Sequence, residues 1–115
     1  MADAGRSGQS WQRTFKGLPE ETYAMRCWTR ERVRHANAPQ VAHEMFLVVL
    51  ACSPEAIEIT LSTADTRVRI TVTGSCELSL KHVHGPGRRI IRALTAGLFG
   101  TTTNGHGLWA ELAKE

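Results

Sequence analysis

The amino-acid sequence predicts an α+β fold, a two-layer sandwich in which helices cover one face of a mostly antiparallel, mixed sheet. Two observations lead to this class. Apolar and polar residues alternate in several short segments, as in half-buried strands, and neighbouring segments are joined by short turns. Three longer segments instead show helical spacing, and the order is strand, helix, helix, strand, strand, helix, strand, strand.

The first half of the chain contains an edge strand and two helices. Alternation over residues 10–15 predicts a strand that Gly17 ends. Pro19 suits a helix start, and the helix over 19–35 has an irregular apolar stripe formed by Tyr23, Met25, Cys27, Trp28 and Val33. A second helix follows Pro39 and is apolar nearly all round from Val41 to Cys52, so we expect it to be central; Pro54 prevents its continuation.

The second half predicts two hairpins around a third helix. Residues 57–61 and 68–72 alternate strictly and are joined by the turn 63–66. Residues 74–87 resemble a loop, and a helix over 88–98 is expected to direct Ile90, Ile91, Leu94 and Leu98 inward. A closing hairpin pairs 101–103 with 108–112 around Asn104-Gly105. We expect Trp11, Trp28 and Trp109 to anchor the core, with Trp11 alternatively in a homodimer contact.

The composition is that of one ordinary globular domain. The chain has 115 residues, 42% hydrophobic and 22% charged, which is too short for two domains. Residues 1–9 are small and polar, so we expect a flexible arm there and a single domain over 10–115. No apolar run approaches the roughly 20 residues that span a bilayer, and the start lacks the apolar stretch of a secretory signal. We therefore expect a cytoplasmic protein without membrane contact.

Charge and cysteine content narrow the classes of partner. Lys and Arg number 14 and Asp and Glu 11, and the net charge of +3 is spread along the chain, which mildly favours an acidic partner. The chain has no basic run with interleaved aromatic residues, so we do not expect nucleic acid as a partner. Cys27, Cys52 and Cys76 are odd in number and widely spaced, so we expect reduced, mostly buried thiols and no metal site.

Two tracts resemble a known family. Gly85-Pro86-Gly87-Arg88-Arg89-Ile90-Ile91-Arg92-Ala93-Leu94, with Gly107-Leu108-Trp109-Ala110-Glu111-Leu112, is similar to the C-terminal half of small actinobacterial GHKL-type ATPase domains. That family is related to anti-sigma-factor serine kinases and to the ATPase domains of histidine kinases. Trp11-Gln12-Arg13-Thr14-Phe15, Pro19-Glu20 and Trp28-Thr29-Arg30-Glu31 resemble its first strand and helix. The resemblance covers most of residues 10–113 and implies a GHKL, or Bergerat-like, fold.

The resemblance implies a nucleotide site, and two of its parts are replaced in this chain. The family has a helix with a Glu and, four residues on, a magnesium-binding Asn; here Glu44 is followed by Val48, and no Asn occurs between residues 38 and 103. The family also has an adenine-binding Asp before a glycine at a strand end, where this chain has Thr73-Gly74. Glu44 is at most a relic of a catalytic base.

The remaining parts of the implied site are weakened. A glycine-rich start of the last helix binds phosphate in the family, and Gly85, Gly87, Arg88 and Arg89 keep this feature in outline, either as a residual phosphate site or only as a helix start, although Pro86 lacks an N–H. A Thr is expected where Gly107 stands. Each loss costs about 1.5 to 3 kcal/mol, so several together lower nucleotide affinity by roughly three decades or more. We expect no ATP or magnesium binding and no enzymatic activity.

The family resemblance also implies protein partners. The first helix contains four closely spaced arginines, Arg26, Arg30, Arg32 and Arg34. They could form a docking face for an acidic protein, or they could be an ordinary solvated helix face. The resemblance implies a sigma factor or an anti-sigma antagonist as partner. We therefore expect a regulatory protein-binding module of transcription control that has lost kinase activity; the alternative is an active ATP-binding anti-sigma serine/threonine kinase.

Overall fold

A computed structural model describes residues 8–64, 66–78 and 86–113 of the chain. The elements in these ranges follow the predicted order of strands and helices. They are β1 (Ser10–Lys16), a 3₁₀ turn (Pro19–Glu21), α1 (Thr22–Arg32), α2 (Ala38–Leu50), β2 (Ala56–Thr63), β3 (Arg67–Gly74), α3 (Pro86–Thr95), β4 (Phe99–Thr101) and β5 (Gly107–Ala113). The flexible arm expected at the N-terminus lies largely outside the described residues, as does most of the loop predicted before α3.

The five strands form one sheet in the order β1-β2-β3-β5-β4. Each neighbouring pair of strands is antiparallel. The predicted mixed sheet would include a parallel pair, and the described strands contain none. β1 lies at the edge, as its short alternating pattern predicts, and Phe15 pairs with Ile57 of β2. The three helices pack on one face of the sheet, so the predicted two-layer α+β class is confirmed.

The core lies between α2 and the alternating residues of β2, β3 and β5. Ile57, Ile59 and Leu61 of β2 have no exposed surface, as strict alternation predicts for strands with one buried face. α2 is central, and Phe46 packs edge to face against Phe15 with ring centroids 6.4 Å apart. This packing explains why α2 is apolar nearly all round.

The apolar stripe predicted for α1 is wrong at two positions. Tyr23 is 77% exposed and Cys27 is only half-buried, whereas Met25, Trp28 and Thr29 are buried. The buried residues recur at positions three and four apart, which lie on one side of a helix, and Tyr23 lies on another side. Thr29 is accommodated because its hydroxyl donates a hydrogen bond of 2.9 Å to the Met25 carbonyl. α1 also ends at Arg32, before the predicted end at 35.

The inward face predicted for α3 is half correct. Ile91 is buried and Leu94 partly buried, but Ile90 is 40% exposed and Leu98 is 39% exposed. The helix ends at Thr95, so Leu98 lies in the turn before β4 and no longer follows the helical spacing. β4 accordingly begins at Phe99, earlier than predicted.

Trp109 lies on the uncovered face of the sheet, not in the core as predicted. Leu108 and Ala110 are buried between the layers, so the alternation of β5 directs Trp109 to the opposite face. The guanidinium of Arg69 stacks on its ring at 4.7 Å and also forms an ion pair of 2.9 Å with Glu111. The neighbouring strand has Gly100 opposite the indole, which leaves room for the ring.

Two cysteines that we expected to be reduced form a disulfide. The bond joins Cys52, just after α2, to Cys76, just after β3. Cys27 remains free. Sequence spacing could not predict this pairing because only the packing of α2 against the sheet brings the two positions together. Disulfides are commoner in oxidising compartments than in the cytoplasm that the sequence predicts.

Candidate functional site

The residues of the implied phosphate and magnesium site meet where the first turn of α3 packs on α2. Glu44 is half-buried, and its Oε2 accepts a hydrogen bond of 2.7 Å from Gln40 Nε2. A methyl group on Gly87 would lie 3.3 Å from Glu44 Oε1 and 3.6 Å from Val48 Cγ2. The two helices therefore approach closely at this point, and Glu44 and Val48, which the resemblance aligns with the acidic and magnesium positions, leave room for little more than a methyl group beside Gly87.

The electrostatics of this contact oppose a bound phosphate. The first N–H groups of a helix lack partners within the helix and attract negative charge. Glu44 places its own carboxylate beside Gly87, in the first turn of α3. A phosphate at the same helix end would meet a like charge in addition to the steric obstruction.

The other residues of the predicted residual phosphate site are not gathered at this helix end. Arg88 is half-buried and its guanidinium stacks over the ring of Phe99, 5.6 Å from the centroid. Arg89 is exposed. Gly85 lies outside the described residues. Of the four residues predicted to form a residual phosphate site, only Gly87 is thus described beside Glu44.

The corner that would hold a purine is filled by aliphatic side chains. A methyl group on Gly74, at the end of β3, would lie 2.8 Å from Val49 Cγ1 and 3.1 Å from Pro54 Cβ. The Cys52–Cys76 disulfide lies at the same end of α2 and β3. These contacts leave no space even for a methyl group on the side of Gly74 that faces α2.

Gly107, at the position where the family has a Thr, has no room for any side chain. It pairs with Thr73 across the sheet. A methyl group at Gly107 would run into the backbone carbonyl of Val72 and the side chain of Thr73. The missing hydroxyl is therefore a consequence of close strand packing.

Two of the four predicted docking arginines are engaged within the domain. Arg26 is half-buried and donates hydrogen bonds to Gln40 Oε1, at 3.2 Å, and to His43 Nδ1, at 2.7 Å. Arg32 stacks on Trp28 at 5.3 Å and forms an ion pair of 3.1 Å with Glu31. Arg26 therefore ties α1 to α2, whereas both contacts of Arg32 are to residues of α1 itself. The structure does not bring all four arginines together on one outer face.

The other two arginines flank a surface groove between α1 and α2. Arg30 and Arg34 are both exposed, and the groove has a volume of about 420 Å³. Its floor is formed by Val33 and Pro39, which are buried, together with the buried ring of His35. We call this feature the arginine groove. The sequence does not predict the burial of His35, because a residue between two helices belongs to no periodic pattern, and it indicates Pro39 only as a helix start.

The described residues contain no candidate metal centre. Over 8–64, 66–78 and 86–113, no three His, Cys, Asp or Glu side chains lie close enough to share a metal ion. His82 and His84, a pair that spacing alone would allow as ligands, lie outside these ranges. No helix within the same ranges is long and apolar enough to cross a bilayer.

No protein-family model matches the chain, and no curated protein sequence matches it. The fold and the site therefore define the class only as a small α+β domain with helices on one face of an antiparallel sheet.

Proposed function

We propose that this chain is a regulatory protein-binding module of GHKL-like fold that does not bind nucleotide and that holds an acidic segment of a transcription regulator. The order of elements and the packing of α2 beside α3 on one face of the sheet support the GHKL-like architecture. The partner class, a sigma factor or its antagonist, follows from the resemblance of the N- and C-terminal tracts to anti-sigma kinases. Cytoplasmic location belongs to the same proposal through the partner class, and the Cys52–Cys76 disulfide is the observation that argues against it.

The direct contact between Gly87 and α2 carries the argument against nucleotide binding. A triphosphate with magnesium needs space and positive charge at the start of the last helix. That position instead has Val48 as an aliphatic wall and Glu44 as a negative charge. Opening the contact to admit ATP would separate packed side chains and set a carboxylate against a phosphate, and both effects weaken binding.

The arginine groove supports the choice of an acidic protein segment as ligand. Arg30 and Arg34 offer two exposed guanidinium groups, which bind carboxylates in a bidentate geometry. The buried Val33 and Pro39 beneath them offer apolar contact to the side chains between the acidic residues. A peptide that alternates acidic and apolar residues fits both properties.

The first test is calorimetric titration of the full chain with ATP and magnesium. We expect no saturable heat, which corresponds to a dissociation constant weaker than about 1 mM. The reason is the closed contact of Gly87 with Glu44 and Val48. Glu44→Gln serves as a companion variant because it removes the charge and keeps the shape. Micromolar binding by the unmodified chain would overturn the proposal and favour the active kinase.

The second test reverses the charges of the arginine groove. We expect Arg30→Glu with Arg34→Glu to weaken binding to a cognate sigma factor or antagonist, selected from a purified panel, by about tenfold to a hundredfold. Both residues are exposed, so the fold should persist. Arg89→Glu with Arg92→Glu is the matched control, since it makes the same change in net charge on exposed positions of α3. Equal loss in both variants, or no partner in the panel, would contradict this docking surface.

A further inference from the structure

A second cavity lies at the end of the sandwich where α3 ends, far from the contact of Gly87 with α2. It has a volume of about 330 Å³, which falls at the lower end of the range of small-ligand sites. Leu94, Leu98 and Leu112 form an apolar part of its wall. His35, Asn37 and Arg67 are the residues with strong hydrogen-bonding side chains that also line it. The combination of an apolar wall with a few convergent polar groups is typical of ligand pockets.

The first observation that points to a ligand is the hydrogen bonding of the buried His35. The residue is 9% exposed, and its Nδ1 accepts a hydrogen bond of 3.1 Å from the Asn37 backbone N–H. The neutral ring then carries its proton on Nε2, which makes that nitrogen a donor. Within the described part of the chain, Nε2 has no hydrogen-bond partner. A buried donor without an acceptor is unfavourable, so an acceptor in the cavity would stabilise the arrangement.

The second observation is that the polar lining supplies donors and one positive charge. Arg67 is exposed at the start of β3 and forms no ion pair with any described residue. Asn37 precedes α2 without capping it through its side chain, so the amide is not used as a helix cap. Thr95 also lines the cavity, but its hydroxyl already donates to the Ile91 carbonyl at 2.7 Å. None of the described lining residues is Asp or Glu.

We propose that this cavity binds a small organic carboxylate. The carboxylate oxygens accept hydrogen bonds from His35 Nε2 and the Asn37 amide, and Arg67 balances the negative charge. The aromatic or aliphatic body of the ligand packs against Leu94, Leu98 and Leu112. Inorganic phosphate would leave that apolar wall uncovered, so the lining favours a carboxylate with an apolar body. This cavity shares His35 with the arginine groove, but its other described lining residues are different, and neither Gly87 nor Glu44 lines it.

The probe for this proposal is benzoate, titrated into the full chain and followed by calorimetry and by NMR. We expect saturable binding with a dissociation constant below about 1 mM, with shift changes at His35 and at the methyl groups of Leu94 and Leu112. Benzamide has the same shape without the charge, and we expect it to bind at least about tenfold more weakly. Octanoate tests an aliphatic body.

Variants distinguish binding of benzoate in this cavity from a general attraction of anions to the positively charged protein. We expect Arg67→Ala to weaken benzoate binding at least about tenfold, and Arg69→Ala, two residues along the same strand and outside the cavity, to leave it unchanged. His35→Gln keeps an N–H donor near Nε2, whereas His35→Leu removes it, so the first should retain binding and the second lose it. No saturable binding of benzoate or octanoate up to about 20 mM, or equal losses in Arg67→Ala and Arg69→Ala, would overturn the proposal.

Discussion

Replacing Phe46 by Ala is expected to lower the free energy of unfolding by about 3 to 5 kcal/mol. Phe46 has no exposed surface and lies in the middle of α2, where its ring packs edge to face against Phe15. Phe15 in turn packs against Trp28 with centroids 5.9 Å apart, so the Phe46 ring connects α2 to both β1 and α1. Its removal costs the transfer energy of the ring and leaves a cavity that neighbouring helices and strands cannot fill.

Urea denaturation followed by circular dichroism measures this loss. Leu47→Ala is the matched control, because the next residue on the same helix is 40% exposed and its truncation should cost less than about 1 kcal/mol. If Phe46→Ala does not fold, Phe46→Leu can be measured instead. We expect its loss of unfolding free energy to lie between those of Phe46→Ala and Leu47→Ala. Similar losses at Phe46 and Leu47 would contradict the central position of α2.

Removing the disulfide is expected to lower the free energy of unfolding by about 3 kcal/mol. The bond closes a loop between Cys52 and Cys76, 24 positions apart, and so restricts the unfolded chain. It also holds the segment after β3 against the end of α2, at the corner where Gly74 contacts Val49. Cys52→Ser with Cys76→Ser, or a reducing agent, should therefore have the same effect.

Chemical labelling provides the direct check on this bond. Without reductant, iodoacetamide should modify Cys27 alone after denaturation, and with reductant it should modify all three cysteines. Cys27→Ser is the matched control for stability, since it makes the same substitution at the unpaired position. Labelling of all three cysteines in the oxidised protein would contradict the pairing.

For the implied nucleotide site, the sequence predicts which residues differ from those of the family that it resembles. It does not predict how the residues at those positions are arranged in space. The absence of an Asn after Glu44 and of an Asp before Gly74 was readable directly. That Glu44 itself lies beside Gly87 was not readable, because the approach of α3 to α2 depends on how both helices pack on the sheet. The arginines show the same limit: Arg26 and Arg30 look equivalent along the chain, yet Arg26 is bonded to Gln40 and His43.

Local patterns were sufficient for the elements and for their order. Alternation in β2 and β3 and the apolar surface of α2 report burial directly, because each depends only on which side of one strand or helix faces the core. The Cys52–Cys76 bond and the His35 cavity depend on which distant elements become neighbours. Those contacts arise from long-range packing, and no periodicity within a single segment encodes them.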